Sequence, residues 1–203
     1  MNKTNFDLIK LKSYKYLDEN KPICIFLDGK DVTKHHEQYL MLKEDGFTKK
    51  VFESAKKIVR NAYVYATMDE VSIIYTNPHE FLKDFHDSNS IYCGVIVLEK
   101  FLQKFWSENE KTFFSLSVFN LDENDIEDYL EYRKKLGRQT AITWQAKEHL
   151  PRGMYHRCSV EEIEKRVKEG GFFEELTNHP YILEGLFEFV GHPTSTNGLL
   201  RSL

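Results

Sequence analysis

Five consecutive apolar residues, Ile23-Cys24-Ile25-Phe26-Leu27, stop at Asp28-Gly29. A short unbroken apolar run closed by a turn pair reads as a buried central strand. Phe47, Val51, Ala55, Ile58 and Ala62 then recur at helical spacing and predict a helix of about four turns. Tyr63 to Ala66 and Val71 to Tyr75 predict two strands joined tightly through Thr67-Met68-Asp69-Glu70. Ile91, Val95, Leu98, Leu102 and Phe105 mark a second amphipathic helix, with Asp87, Ser88 or Asn89 available to cap it. Thr112 to Phe119 predicts a fourth strand. The resulting order, β-α-β-β-α-β, is the ferredoxin-like arrangement of an α+β fold.

On either side of this unit the pattern changes. Residues 1–21 are polar and aromatic-dotted, and predict a short helix or arm feeding the first strand. After the fourth strand, DENDIEDYLEYRKKLGR leads with acid and trails with base, which complements a helix dipole. That helix is expected to start near Asp122 and to run as far as Pro151. Ser159 and Glu162 are spaced as a capping box for a further helix, stopped by Gly170-Gly171. The tail GHPTSTNGLLRSL is rich in turn formers. The chain is expected to form one body over 1–150, including the N-terminal arm, with a helical C-terminal extension over 151–203.

Composition narrows the class. The 203 residues are 41% hydrophobic and 14% aromatic, enough for a real core and against wholesale disorder. No apolar run approaches the ~20 residues of a membrane span, and the first residues lack a signal-peptide core. Cys24, Cys93 and Cys158 are odd in number and widely spaced, which argues against a disulfide framework or a cysteine zinc site. The expectation is a soluble cytoplasmic protein with free thiols. With 32 acidic against 28 basic residues the net charge is −4, so any RNA contact must come from a local basic patch. Arg133, Lys134, Lys135 and Arg138 form such a run, although helix C-terminal halves also carry bases for dipole and solubility reasons.

The topology gives the acids their interest. Asp28 ends the first strand, Asp69-Glu70 sits on the hairpin, and the first and third strands pair in the centre of a ferredoxin-like sheet. Two or three carboxylates then converge, and Gly29 lets the backbone approach a ligand closely. Hard oxygen donors suit magnesium, which takes one or two carboxylates and shares its other positions with phosphates and water. Two such ions stabilise the attacking and leaving oxygens of nucleotidyl transfer. The plainer reading is an ordinary turn and a solvated hairpin. His35-His36 has no third ligand at zinc spacing, and Cys24 reads as an inert core residue.

PICIFLDGKDVTKH followed by AYVYATMDEVSIIY resembles the tRNA(His) guanylyltransferase family and its relatives, the reverse (3′-to-5′) RNA polymerases. Asp28-Gly29-Lys30 matches the family's Asp-Gly-Arg element, and Asp69-Glu70-Val71-Ser72 its Ser-Asp-Glu hairpin. Asp128, Tyr129, Leu130, Tyr132 and Arg133 match its Asp-Tyr-Leu-x-aromatic-Arg helix. The resemblance covers roughly residues 20–150 and implies a polymerase-type palm with two magnesium ions. By that resemblance Asp28, Gly29 (through its carbonyl) and Asp69 hold metal, and Asp28, Asp69 and Glu70 are catalytic. Lys30, Asp31, Val32 and Thr33 cradle a nucleoside triphosphate, ATP or GTP, and Lys43 binds its phosphates. The implied activity adds nucleotides to the 5′ end of RNA, in this family tRNA, and the implied assembly is a dimer or tetramer.

Departures from the family pattern are equally specific. Its Arg and His after Asp-Gly are Lys30 and Thr33 here, the Ser before Asp-Glu is Met68, and the Arg of its fourth strand falls at Leu116. The His-Ile-Asn-Asn-Leu-Tyr-Asn-Thr motif is absent, and KKLGRQTAITWQA follows Arg133. Metal and triphosphate elements are thus kept better than those associated with RNA. Two alternatives stand beside the leading reading: another palm-type nucleotide enzyme, or a catalytically silent nucleotide- or RNA-binding protein on the same scaffold.

Overall fold

The computed structural model of the chain describes residues 17–30, 46–85, 90–106 and 112–191, with 90 and 91 described by backbone alone. In chain order the described elements are β1 (Ile23–Lys30), α1 (Phe47–Lys56), β2 (Ala62–Thr67), β3 (Glu70–Tyr75), α2 (Pro78–Phe85) and α3 (Ser90–Phe105). There follow β4 (Phe113–Asn120), α4 (Ile126–His149), α5 (Val160–Glu169), α6 (Phe173–Thr177), α7 (Pro180–Glu184) and β5 (Leu186–Val190). The sheet is antiparallel with order β4-β1-β3-β2-β5. Its first four strands have the expected ferredoxin-like order, with β1 and β3 central.

Strand alternation divides the core between two faces. Ile23, Ile25 and Leu27 of β1 and Val71, Ile73 and Tyr75 of β3 join one cluster with α1, α2 and α3. Within it Phe101 and Phe105 of α3 meet Phe114 of β4 edge-to-face, at ring-centroid distances of 4.9 and 5.0 Å. Cys24, Phe26, Tyr63, Tyr65, Ile74 and Phe119 point the other way, and Ile126, Tyr129 and Leu130 of α4 cover them. Because β1 and β3 are covered on both faces, β1 reads as a continuous apolar run rather than an alternating one.

Four details differ from the sequence expectations. Helix α1 ends at Lys56 and Ala62 opens β2, directly after Asn61, whose left-handed φ of +50° turns the chain into the strand. Helix α3 buries Cys93, Val97, Phe101 and Phe105, while Val95 of the expected stripe is 62% exposed. The helix is apolar on more than one side. Gly94 lies on the side that meets β4, where a Cβ would stand 3.0 Å from Leu116 Cδ2, so the small residues face the sheet. Helix α2 was not foreseen between β3 and α3. The C-terminal extension is helical, with the Ser159–Glu162 capping box formed in both directions. It also returns a strand, β5, whose residues 186–190 pair with β2.

Helix α4 ties the two faces together. It starts over the second cluster, and its later residues Ala141, Ile142 and Ala146 join the first cluster with Ile163, Val167 and Ile182 of the extension. The crossing point is Gly137, where a Cβ would fall 2.0 Å from Thr67 Oγ1 and 2.8 Å from Thr67 Cβ. Only a glycine lets α4 lie this close to the end of β2.

Candidate active site

Asp28 and Glu70 are direct partners in the β1–β3 register, and Asp28 is likewise opposite Ser115 on β4. Directly paired side chains share a sheet face, so Asp28, Glu70 and Ser115 all project to the face that α4 covers. Asp69 occupies the two-residue turn between β2 and β3, preceded by Met68 with a left-handed φ of +51°. The turn is tied to β1 by the Gly29 amide, which donates to the Asp69 carbonyl at 3.0 Å. Thr48 of α1 donates its hydroxyl to the Met68 carbonyl at 2.7 Å. The hairpin tip is therefore fixed from both sides against the end of β1.

The three carboxylates are compensated unequally. Lys30 Nζ lies 2.7 Å from Asp28 Oδ2, and Ser115 Oγ donates to the same oxygen at 3.3 Å. Glu70 accepts a charge-assisted bond from Arg133 Nη2 of α4. No ion pair reaches the Asp69 carboxylate among the described residues. Burial, followed by the negative charges of Glu70 and Asp28, pushes the Asp69 carboxyl up to about 7, against an ordinary value of 3.8.

This distribution fits a hard cation. Asp28 and Asp69, with the backbone at Gly29, offer oxygen donors in a spot that carries more negative charge than its neighbours neutralise. Among the described residues no three His, Cys, Asp or Glu side chains gather into a ready-made cage. A magnesium site needs none, since water and phosphate complete its shell.

Other expected site residues fall in different places. Asp31, Val32, Thr33 and Lys43 lie outside the described residues, as do His35 and His36 and the candidate caps of α3. Lys30 is at hand, bonded to Asp28. Of the basic run on α4, Lys134 and Lys135 are exposed, and Arg138 is paired with Glu164 at 2.8 Å. Arg133 is only 3% exposed and stands 4.2 Å over the Phe26 ring, so its guanidinium is spent inside the molecule. The sequence carried the signal for this. Ile126, Tyr129, Leu130, Arg133 and Gly137 fall on one helical stripe, the buried one. Ser115 and the bond between Ser72 Oγ and Tyr129 Oη at 2.9 Å were also missed as parts of the site.

The fold is that of a palm. The structure resembles a bacterial tRNA(His) guanylyltransferase-like protein solved with ATP, at a TM-score of 0.66 and 16% identity over 92% of this chain and 85% of that one. A bacterial tRNA(His) guanylyltransferase-like protein solved with GTP gives a TM-score of 0.53 and 18% identity over 72% and 76% of the two chains. The tRNA(His) guanylyltransferase of Saccharomyces cerevisiae gives 0.60 and 15% over 92% and 93%. By sequence, neither a family model nor a curated protein matches. The chain thus shares the fold that its Asp-Gly and Asp-Glu motifs led one to expect, at an identity that marks wide divergence.

Proposed function

We propose that this protein is a magnesium-dependent nucleotidyltransferase that adds nucleotides to the 5′ end of RNA, with tRNA as the substrate class, in tRNA 5′-end maturation or repair. The observation that carries the reading is the Asp69 turn tied to the end of β1 beside Asp28, with the Asp69 carboxyl raised by burial and then by the charges of Glu70 and Asp28. A site whose acids repel one another costs stability, and a cation offsets that cost. Support comes from the fold shared with guanylyltransferase structures, two of which hold ATP and GTP.

In this reading Asp28, Asp69 and the Gly29 carbonyl would hold divalent cations, which supply charge neutralisation and activation at the transferring phosphate. The rest falls to the chain itself. The exposed Lys30 side chain is free to exchange its contact with Asp28 for a triphosphate oxygen. Residues Lys30 to Thr33 would cradle the nucleotide through their backbone, and Lys43 would supply a point charge to its phosphates. Lys134, Lys135 and Arg138 would contact RNA phosphates, which positions the strand without reading its sequence. The direction of addition is 3′-to-5′: the 3′-hydroxyl of the incoming nucleotide attacks the α-phosphate of the RNA 5′ end, and the bond to the leaving group breaks, releasing pyrophosphate from a triphosphorylated end or AMP from an ATP-activated one. Because the family's His-Ile-Asn-Asn motif is missing, no strong preference for tRNA(His) is expected.

The test is incubation with magnesium, labelled ATP or GTP, and RNAs carrying a 5′ mono- or triphosphate. Label should enter RNA with the wild-type protein, and be lost on adding chelator and in Asp28→Asn. Nucleotide binding without incorporation into any RNA would instead support the silent scaffold.

A further inference from the structure

The two hairpin acids are adjacent in sequence, yet the structure treats them differently. Glu70 lies directly across from Asp28, a pairing that places the two Cβ atoms about 5 Å apart. It therefore stands beside one of the two proposed cation ligands. Its charge is one of the causes that raise the Asp69 carboxyl. What distinguishes it is Arg133. That side chain is 4% exposed, bonded to Glu70 and stacked over Phe26, while Lys30 on Asp28 is 52% exposed. Phe26 pairs with Ser72, two residues further along β3, so Arg133 sits inward of the hairpin tip. One turn earlier on α4, Tyr129 bonds Ser72. Tyr129 and Arg133, four apart on a helix, thus meet Ser72 and Glu70, two apart on a strand.

We infer that Arg133 is a positioning residue that draws the Glu70 carboxylate away from the cations and so leaves part of their coordination shell open for the triphosphate of the substrate. This rests on the reading of Asp28 and Asp69 as cation ligands. An exposed lysine yields its carboxylate to a cation at little cost, whereas a guanidinium buried between Phe26 and Glu70 does not. Magnesium sites that work on nucleotides need few protein ligands and several replaceable ones. A third carboxylate would fill a position that a phosphate oxygen must enter. Arg133 prevents that.

The test measures manganese binding by electron paramagnetic resonance, on folded protein without nucleotide, beside turnover with saturating magnesium. Arg133→Met releases Glu70, so manganese should bind about tenfold more tightly while turnover falls by a similar factor or more. A merely structural arginine would lower both. The double variant Glu70→Gln with Arg133→Met carries the second arm and guards against misfolding of the single one. It removes one charge of each sign, and a neutral buried pair is well tolerated. Its manganese affinity should equal that of the wild type within about threefold, the spread expected of a change outside the ligand set. Loss of manganese binding in the double variant would make Glu70 a ligand and overturn the inference, as would weaker binding by folded Arg133→Met. Absence of manganese binding by the wild type would instead refute the cation site itself, and this inference with it.

Discussion

Asp69→Asn replaces a carboxylate that the fold penalises with a neutral group of the same shape. The Asp69 carboxyl is raised from 3.8 to about 7, mainly by burial and then by Glu70 and Asp28. Its sign follows from linkage. A raised folded-state value means that the folded protein holds the proton more tightly than the unfolded chain. The stabilisation from the protonated form is complete below the unfolded value and is lost as pH rises through about 7. At about pH 8 the penalty on the charged form reaches about 4 kcal/mol, and near pH 4 it is less than about 1 kcal/mol. In chelator, Asp69→Asn should therefore stabilise the protein, by up to about 4 kcal/mol near pH 8 and by almost nothing near pH 4. The assay is urea unfolding at several pH values, read as the midpoint at unchanged slope. Added magnesium should narrow the gap by stabilising the wild type alone, and the variant should be inactive throughout. A destabilising effect of Asp69→Asn at high pH in chelator would show that the carboxylate is already well compensated, and the argument for a cation there would fail.

Three further outcomes are expected. Gly137→Ala should destabilise by about 1–3 kcal/mol, because its methyl group must displace Thr67; Thr67→Ala, combined with it, should recover part of that loss in thermal unfolding. Tyr129→Phe should cost about 1 kcal/mol in urea unfolding, the price of leaving the buried Ser72 hydroxyl without that partner. Lys134→Glu with Lys135→Glu should weaken different RNAs about equally and flatten the dependence of affinity on salt, measured by filter binding; selective loss of one RNA would mean that these residues read sequence.

The strands, and the placing of Asp28 and of Asp69-Glu70 at their ends, were the legible part of this sequence. The run 23–27 ending in Asp-Gly, and the strands flanking the acid pair Asp69-Glu70, follow from local pattern because a central strand has no freedom to be polar. The ferredoxin-like order was legible for the same reason, helix α4 from its acid-to-base charge order, and the capping box of α5 formed as its spacing required. Helix α3 was misread in its face because it is apolar nearly all round, and the periodicity there does not say which side meets the sheet. The choice rests on Cys93 and Gly94, whose small size is a tertiary matter. Strand β5 has a period-two signal in Phe187-Glu188-Phe189, too short to be read before its partner β2 was known. Arg133 was placed with the RNA contacts because a basic run reads as a surface. Its position on the stripe of Ile126, Tyr129 and Leu130 was the better guide.

We propose Asp28 and Asp69 as the centre of a reaction that extends RNA at its 5′ end. The most direct test uses an RNA bearing a 5′-triphosphate and a blocked 3′ end, supplied with magnesium and GTP carrying label at the α-phosphate. Nuclease mapping then locates the label. Label is expected at the new 5′ terminus with the wild-type protein and nowhere with Asp28→Asn. Label placed at a 3′ terminus when that end is unblocked, or full incorporation by Asp28→Asn, would contradict it.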